Sequence, residues 1–493
     1  MNRGPGTLRT VMIVLGSSWF GFVLNILRVL VLPAKLGDLG LGDVTTAVSF
    51  TTFFGIFISL GTSIYLVRAV AQDQSLASRY LSNALLLRVV MGAGVLALLL
   101  GIAHLFGYAP RTQQVILIVG VSMVIGTISN VFESGLQGLG QMSWRAIAMA
   151  SGQVTATVTG VTMLLLGADV MIYALCIPLG AIVEFVIVLS YFFLHHPIKF
   201  DVDRSVMRAL VVGGLPLFMW GVLQTAYGQI DATLLSLISG IHIVGWFGAA
   251  TQITSVLIVI PTAITAVMLP MLCEMHLRPG HEFDNAATRT MVSTLLVMAP
   301  IGAGLAISAG DVLRVLPYPP AFLNAAPALA LLGLALPVTG ALMVLSTLAV
   351  AIGQEREWIK ISAFAVCVFP PLYIVLINWF QTNQGNGATG TAVANLIGES
   401  ALVVWAWLVL PARLRQTAML RRGAQIAALT LLMAGVVAGL QRAGVPLFGY
   451  IPAAAALYFA GAWLLRLITP GDLAMVRHAV QRRGRRAPAA SQG

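Results

Sequence analysis

The sequence predicts an all-α polytopic membrane protein of about fourteen transmembrane helices, arranged as two parallel six-helix lobes followed by a C-terminal helix pair. Three observations carry that prediction. Only 9% of the 493 residues are charged and 58% are hydrophobic, whereas a soluble domain is about 25% charged. Apolar runs close to 20 residues, long enough to span a bilayer, recur along the whole chain. The chain also resembles itself at an offset of a little over 200 residues.

The runs fall at about 9–32, 43–71, 82–107, 113–138, 144–166, 169–194 and 207–238, then at 242–275, 287–310, 322–350, 356–380, 387–410, 423–442 and 447–467. No stretch between them is long enough for a soluble domain. The first run is too long for the apolar region of a signal peptide and lacks an A-x-A cleavage site, so it reads as a retained helix. The expected organisation is an N-lobe over residues 1–200, a C-lobe over 201–412, an extra helix pair over 413–470 and a basic cytoplasmic tail over 471–493. With both termini placed in the cytoplasm, 23 of the 28 Lys and Arg, Arg88 among them, fall on that side. The other five are Arg28, Lys35, Arg111, Arg314 and Arg442. This bias obeys the positive-inside rule. It also accounts for the net charge of +11 without a nucleic-acid partner. The tail RHAVQRRGRRAPAASQG reads as a solvated topology anchor, or as a contact to anionic lipid at roughly 1 kcal/mol per basic residue.

The internal repeat aligns residues 34–49 with 237–252. At a constant offset of 203, Gly37 meets Gly240, Gly42 meets Gly245 and Ala47 meets Ala250. GLGQMSW at 138–144 echoes AIGQEREW at 351–358 at an offset of 213, and LGADVMIYAL at 166–175 loosely echoes NGATGTAVAN at 386–395. The unit is six helices, an even number, so both copies enter the membrane the same way. Parallel lobes of this kind bind between them and rock to expose the site to each side in turn.

Within this apolar frame, Arg28 stands inside the first span. Translocon scales put a central arginine at about 2.5–3.5 kcal/mol. Ser18, Gly21, Asn25 and Arg28 share one helix face, as do Trp220, Gln224, Tyr227 and Asp231 on the seventh span. The repeat offset carries Arg28 onto Asp231, so a cation and a carboxylate occupy equivalent positions in the two lobes. Both stripes are candidate cavity walls for an anionic substrate. Each also has a plainer reading: Arg28 can snorkel to the interface, Asp231 can accept a hydrogen bond from a neighbouring helix, and Trp220 and Tyr227 can simply pack. Tyr65, Arg68, Glu133 and Gln137 are inner-gate candidates or interfacial caps. Glu184 and Glu399 are possible proton carriers, with structural hydrogen bonding as the alternative.

Several patterns are set aside. Asp201-Val202-Asp203 mimics a nucleotide-sugar metal motif but sits in a loop of about a dozen residues. Cys273, His276 and His281 straddle a helix end, and His195-His196 reads as a helix terminus. Cys176, Cys273 and Cys367 form no CxxC and lie in or beside apolar runs. No Walker A loop is present, so the sequence offers no ATP site and no metal site.

LPAKLGDLGLGDV at 32–44 and ISLGTSIYLVRAVAQ at 58–72 resemble the start of a polysaccharide-export protein of the multidrug/oligosaccharidyl-lipid/polysaccharide superfamily. GLPLFMWGVLQTAYGQIDATLLSLISGIHIVGWFGAATQI at 214–253 and NGATGTAVANLIGES at 386–400 resemble its second lobe. The likeness covers roughly residues 8–410 and implies a V-shaped, MATE-like pair of lobes around a central cavity. It implies a flippase, not an enzyme, that moves a lipid-linked oligosaccharide repeat unit across a bacterial inner membrane. Transport of so anionic a head group is expected to be driven by the membrane potential alone, or by proton or sodium coupling through a carboxylate such as Asp231; membrane lipids and a polymerase and export machinery are the expected partners. Fourteen spans tilt against a multidrug exporter, and the Leu-Gly and Gly-Gln…Trp steps look more like the O-antigen and exopolysaccharide branch than the lipid II flippases. A polymerase or ligase, the rival from a different class, usually carries a long outer loop, and none is present here.

Overall fold

Successive apolar runs with short polar links give successive helices, and every regular element among the described residues is helical. The computed structural model describes residues 5–195, 201–276, 282–415 and 417–467; the side chains of residues 5–20, 220, 223, 224, 226, 227, 355 and 412 lie outside that description. So does the basic tail.

The helices are α1 (Pro5–Ser59), α2 (Thr62–Gln72), α3 (Ala77–Leu105), α4 (Pro110–Gly138), α5 (Met142–Leu165), α6 (Val170–His195) and α7 (Arg204–Ile238). They continue as α8 (Ile241–His276), α9 (Glu282–Val315), α10 (Ala326–Ala351), α11 (Glu355–Gln384), α12 (Gly387–Val409), α13 (Thr417–Arg442) and α14 (Leu447–Leu464). Eleven of the described helices are long and apolar enough to cross a membrane, or twelve when the bent pair Gly21–Ser59 and Thr62–Gln72 counts as one span. The expected fourteen goes beyond that count. The protein is a multi-pass membrane protein. Its surface agrees: Leu431, Phe448 and Trp463 are 72%, 75% and 77% exposed, an arrangement suited to hydrocarbon rather than water.

Two local features differ from the expected boundaries. The first span does not end at Pro33: α1 stays helical through it and turns at Gly37, which takes φ 67° and ψ −177°. The second span breaks at Leu60 and Gly61, both at positive φ, with a 44° bend into α2. Gly61 is required there because a Cβ would overlap the Gly214 carbonyl and the Phe218 amide of α7.

The two turns aligned at an offset of 213 end their helices in the same way. At the end of α4, Gly140 is left-handed (φ 76°), and the amides of Gly140 and Gln141 donate to Gln137 and Leu136. At the end of α10, Gly353 is left-handed (φ 72°), and the amides of Gly353 and Gln354 donate to Val350 and Ala349. Both are the same Schellman termination, 213 residues apart.

Compactness divides the chain into two units. One takes Met1–Leu257, Leu313–Leu332 and Arg356–Gly398; the other takes Ile258–Val312, Gly333–Glu355 and Glu399–Gly493. The first holds one core around Leu41, Phe50, Val115 and Tyr173 and another around Leu66, Leu81, Phe132 and Phe192. In the second, α13 and α14 pack on α9 through Ile426, Met433, Tyr458 and Val292. Asp311 pins that contact by accepting from Gln441 Nε2 and the Tyr450 hydroxyl, each at 2.9 Å.

The Asp201-Val202-Asp203 loop is a clasp. The Asp201 carbonyl accepts from Ser82 and Asn83 on α3 at 3.0 and 2.7 Å. Asp203 caps α7 by accepting from the Ser205 amide at 2.7 Å and pairs with Arg79. The Ser205 hydroxyl and amide, then Arg79, hold the Asp203 carboxyl below its ordinary pKa. A carboxylate whose folded pKa is depressed stabilises above its unfolded value and loses that contribution as pH falls through the folded one. Asp203→Asn is therefore expected to lower the melting temperature at neutral pH, with the gap to wild type closing below the usual carboxylate range. Thermal unfolding of both proteins across that pH range checks this.

Candidate functional site

The turn at Gly37 folds the second half of α1 back beside the first, and α7 and α8 join them around a cavity of about 300 Å³. Asn25 and Arg28 line it from the first half of α1. Thr45, Val48 and Ser49 line it from the second half, Asp231 from α7, and Thr251 and Gln252 from α8. The offset of 203 relates six pairs of lining positions: 25 with 228, 28 with 231, 44 with 247, 45 with 248, 48 with 251 and 49 with 252. The cavity is built from equivalent positions of the two repeats.

One end of this cavity is closed by backbone contact. A Cβ on Gly42 would overlap the Ile241 carbonyl, and a Cβ on Gly245 would overlap the Asp38 carbonyl. These two contacts exchange under the same offset, since 38 and 42 map onto 241 and 245. Only glycine permits so close an approach of α1 to α8.

The walls are polar without being saturated. Arg28 is half-buried, and its guanidinium makes no hydrogen bond or ion pair among the described residues. Asp231 accepts from the adjacent Ala232 amide at 2.6 Å and forms no ion pair with Arg28 among the described residues. Asn25 Nδ2 donates to the Ser255 hydroxyl at 3.4 Å. Gln252 Oε1 is buried with no partner among the described residues. A cation, a carboxylate and uncommitted amide and hydroxyl groups thus share one chamber. It lies at the small end of ligand-pocket sizes, with room for a phosphate-bearing head group but not for an extended glycan.

Of the sequence candidates, Arg28, Asn25 and Asp231 come together here. The side chains of Trp220, Gln224 and Tyr227 lie outside the described residues. The four gate candidates separate into two groups. Glu133 is buried and pairs with Arg145 at 3.5 Å, and Gln137 Oε1 accepts from the same arginine at 2.8 Å. Tyr65 packs against Gly213 and faces Tyr80, and Arg68 is exposed. Glu184 lies beside Glu133, and Glu399 accepts from the Thr339 hydroxyl. His276 contacts Arg413 at 3.4 Å and stacks edge-on with Phe283; His281 lies outside the described residues.

Reading the sequence missed Ser49 and Gln252, an uncharged polar pair among other hydroxyl residues of their spans. The repeat offset of 203 would have found them.

No curated protein matches the chain in sequence. Among solved structures, the fold is similar to a lipid II flippase, MurJ, in an inward closed conformation, with a TM-score of 0.71, 15% identity, and coverage of 93% of this chain and 98% of that one. It is also similar to an inward-facing multidrug resistance transporter of the MATE family (TM-score 0.65, 17% identity, 80% and 96% covered). A further match is a transporter of the same superfamily from Pyrococcus furiosus (TM-score 0.52, 16% identity, 85% and 96% covered). At these identities the likeness establishes a shared transporter fold. Residues 7–276, more than half of the chain, match the family described as polysaccharide biosynthesis protein, and the chain belongs to that family.

Proposed function

We propose that this protein is a flippase that moves a polyprenyl-pyrophosphate-linked oligosaccharide repeat unit across the bacterial inner membrane for polysaccharide export. The carrying observation is the pseudo-symmetric chamber that holds Arg28 opposite its repeat partner Asp231, in a chain of the polysaccharide biosynthesis family. With the termini in the cytoplasm, the Gly42–Gly245 end faces outward, and the chamber opens to each leaflet in turn by alternating access.

Carrying a charged, hydroxyl-rich head group through hydrocarbon costs on the order of tens of kcal/mol. The polar chamber removes most of that cost. The pyrophosphate pairs with Arg28, which makes no ion pair among the described residues, and hydroxyls of the first sugar bond to Asn25, Ser49 and Gln252. Outward movement of about two negative charges across an inside-negative membrane releases roughly 5 kcal/mol per 100 mV, so the potential itself drives transport. Proton or sodium coupling through Asp231 adds to that drive, and a polymerase on the outer side consumes the product. The chain's part is translocation, not catalysis.

Mass spectrometry of lipid-linked oligosaccharides from a deletion strain tests this. The expected result is accumulation of the complete, unpolymerised repeat unit on its lipid carrier. An unchanged pool with normal surface polymer overturns the reading and points to drug export, which predicts heightened sensitivity to cationic drugs instead.

A further inference from the structure

A second chamber lies further along the same helix face. Thr45 and Ser49 line the Arg28 chamber, and Thr52, Gly55 and Ser59 continue that face of α1 into a cavity of about 340 Å³. Thr127 and Asn130 of α4 and Thr225 of α7 line it as well. The two stretches of α1 are centred about nine residues apart, or about 14 Å along the helix.

Arg88 of α3 lines this second cavity. Counted by sequence with the cytoplasmic charges, it is instead only 1% exposed. Its Nη2 donates to the Ser63 hydroxyl at 2.7 Å, and Ser63 donates onward to Asn130 Oδ1 at 2.6 Å. Its Nε has no partner among the described residues. No carboxylate pairs with it there; Glu133, about one turn beyond Asn130 on α4, pairs with Arg145. A buried guanidinium held by one neutral hydrogen bond is an expensive arrangement in an apolar bundle. An anion in the cavity supplies both the missing counter-charge and an acceptor for Nε, and guanidinium geometry suits phosphate oxygens in particular.

We propose that Arg88 forms a second anion-binding site, specific for a phosphate-bearing group, and that it is a separate station for the substrate head group on the route past Arg28. The hydroxyls of Thr52 and Thr225 supply further donors around the bound anion, whereas those of Ser59 and Thr127 donate to backbone carbonyls of their own helices. The station's role in transport rests on the flippase reading; its anion binding does not.

The test uses the full chain in nanodiscs of zwitterionic lipid and measures binding of labelled, sugar-free polyprenyl pyrophosphate, with inorganic pyrophosphate and phosphatidylglycerol as competitors. Arg88→Gln is expected to weaken binding at least tenfold while Arg88→Lys loses less. Competition by inorganic pyrophosphate marks recognition of the anion itself. Competition by phosphatidylglycerol alone makes a bilayer phospholipid the occupant: the site stands, but its role as a substrate station is overturned. Wild-type affinity in a folded Arg88→Gln protein overturns the proposal and leaves the flippase reading intact. Absence of binding of every probe to the wild type also overturns it, while the lipid-linked pool of the deletion strain decides the flippase reading separately. If Arg88→Gln does not fold, electron cryomicroscopy of the wild type with polyprenyl pyrophosphate decides: density against Arg88 supports the site, and density at Arg28 alone overturns it.

Discussion

Arg28→Ala is expected to abolish polysaccharide export while leaving the protein folded and inserted. The guanidinium makes no hydrogen bond or ion pair among the described residues, so its removal breaks no structural tie seen there. Removing a charge from a membrane span also relieves a cost of about 2.5–3.5 kcal/mol, so the melting temperature should hold or rise. What is lost is the cation that meets the pyrophosphate. Arg28→Lys should keep part of the activity, because an ammonium supplies charge without the two-pronged fit of guanidinium to phosphate. Surface polymer, insertion and thermal unfolding, measured together, separate these effects. Normal export from a stably expressed alanine variant would mean that Arg28 only reaches for the interface.

Gly42→Val and Gly245→Val are each expected to lower export at least tenfold without preventing insertion. At both positions even a Cβ would overlap a backbone carbonyl across the helix pair, Ile241 in one case and Asp38 in the other. A branched side chain must push the helices apart, and backbone on both sides leaves no flexible group to give way. Closure of that end fails while the rest of each helix is untouched. Cysteine accessibility reads the same event. With Cys176, Cys273 and Cys367 replaced by serine, Ser49→Cys should be labelled faster by an impermeant thiol reagent from the outside once either valine is present. Unchanged labelling together with normal export would show that this close approach is packing and not a gate.

How much of this was readable beforehand follows from the kind of signal involved. Arg28 and Asp231 stood out because a charge in an apolar run is conspicuous and because one offset superposed them. The same offset places Ser49 on Gln252, but neither residue is charged, so nothing drew attention to the pair. Arg88 was conspicuous in the same way as Arg28. It was assigned to the cytoplasm because it lies six residues into its expected span, close enough to pass as an interfacial charge; its burial depends on α1 and α4 packing over it. Glu133 and Gln137 read as a gate because their common partner, Arg145, belongs to the next helix, and no local pattern links them. The break at Leu60–Gly61 is likewise tertiary, since Gly61 is needed only where α7 crosses it. Helix positions followed from hydropathy almost throughout, because in a bilayer the backbone has no other way to satisfy its hydrogen bonds.

The most direct measurement is translocation by the purified protein. Proteoliposomes containing a fluorescent polyprenyl-pyrophosphate oligosaccharide would be given a membrane potential, and arrival of the glycan in the opposite leaflet would be read with an impermeant glycosidase or quencher. The account predicts transfer that depends on the protein, accelerates with the potential in the direction that moves negative charge toward the positive side, and is lost in Arg28→Ala. Transfer that is equally fast with the alanine variant, or no faster than in protein-free liposomes, would contradict it.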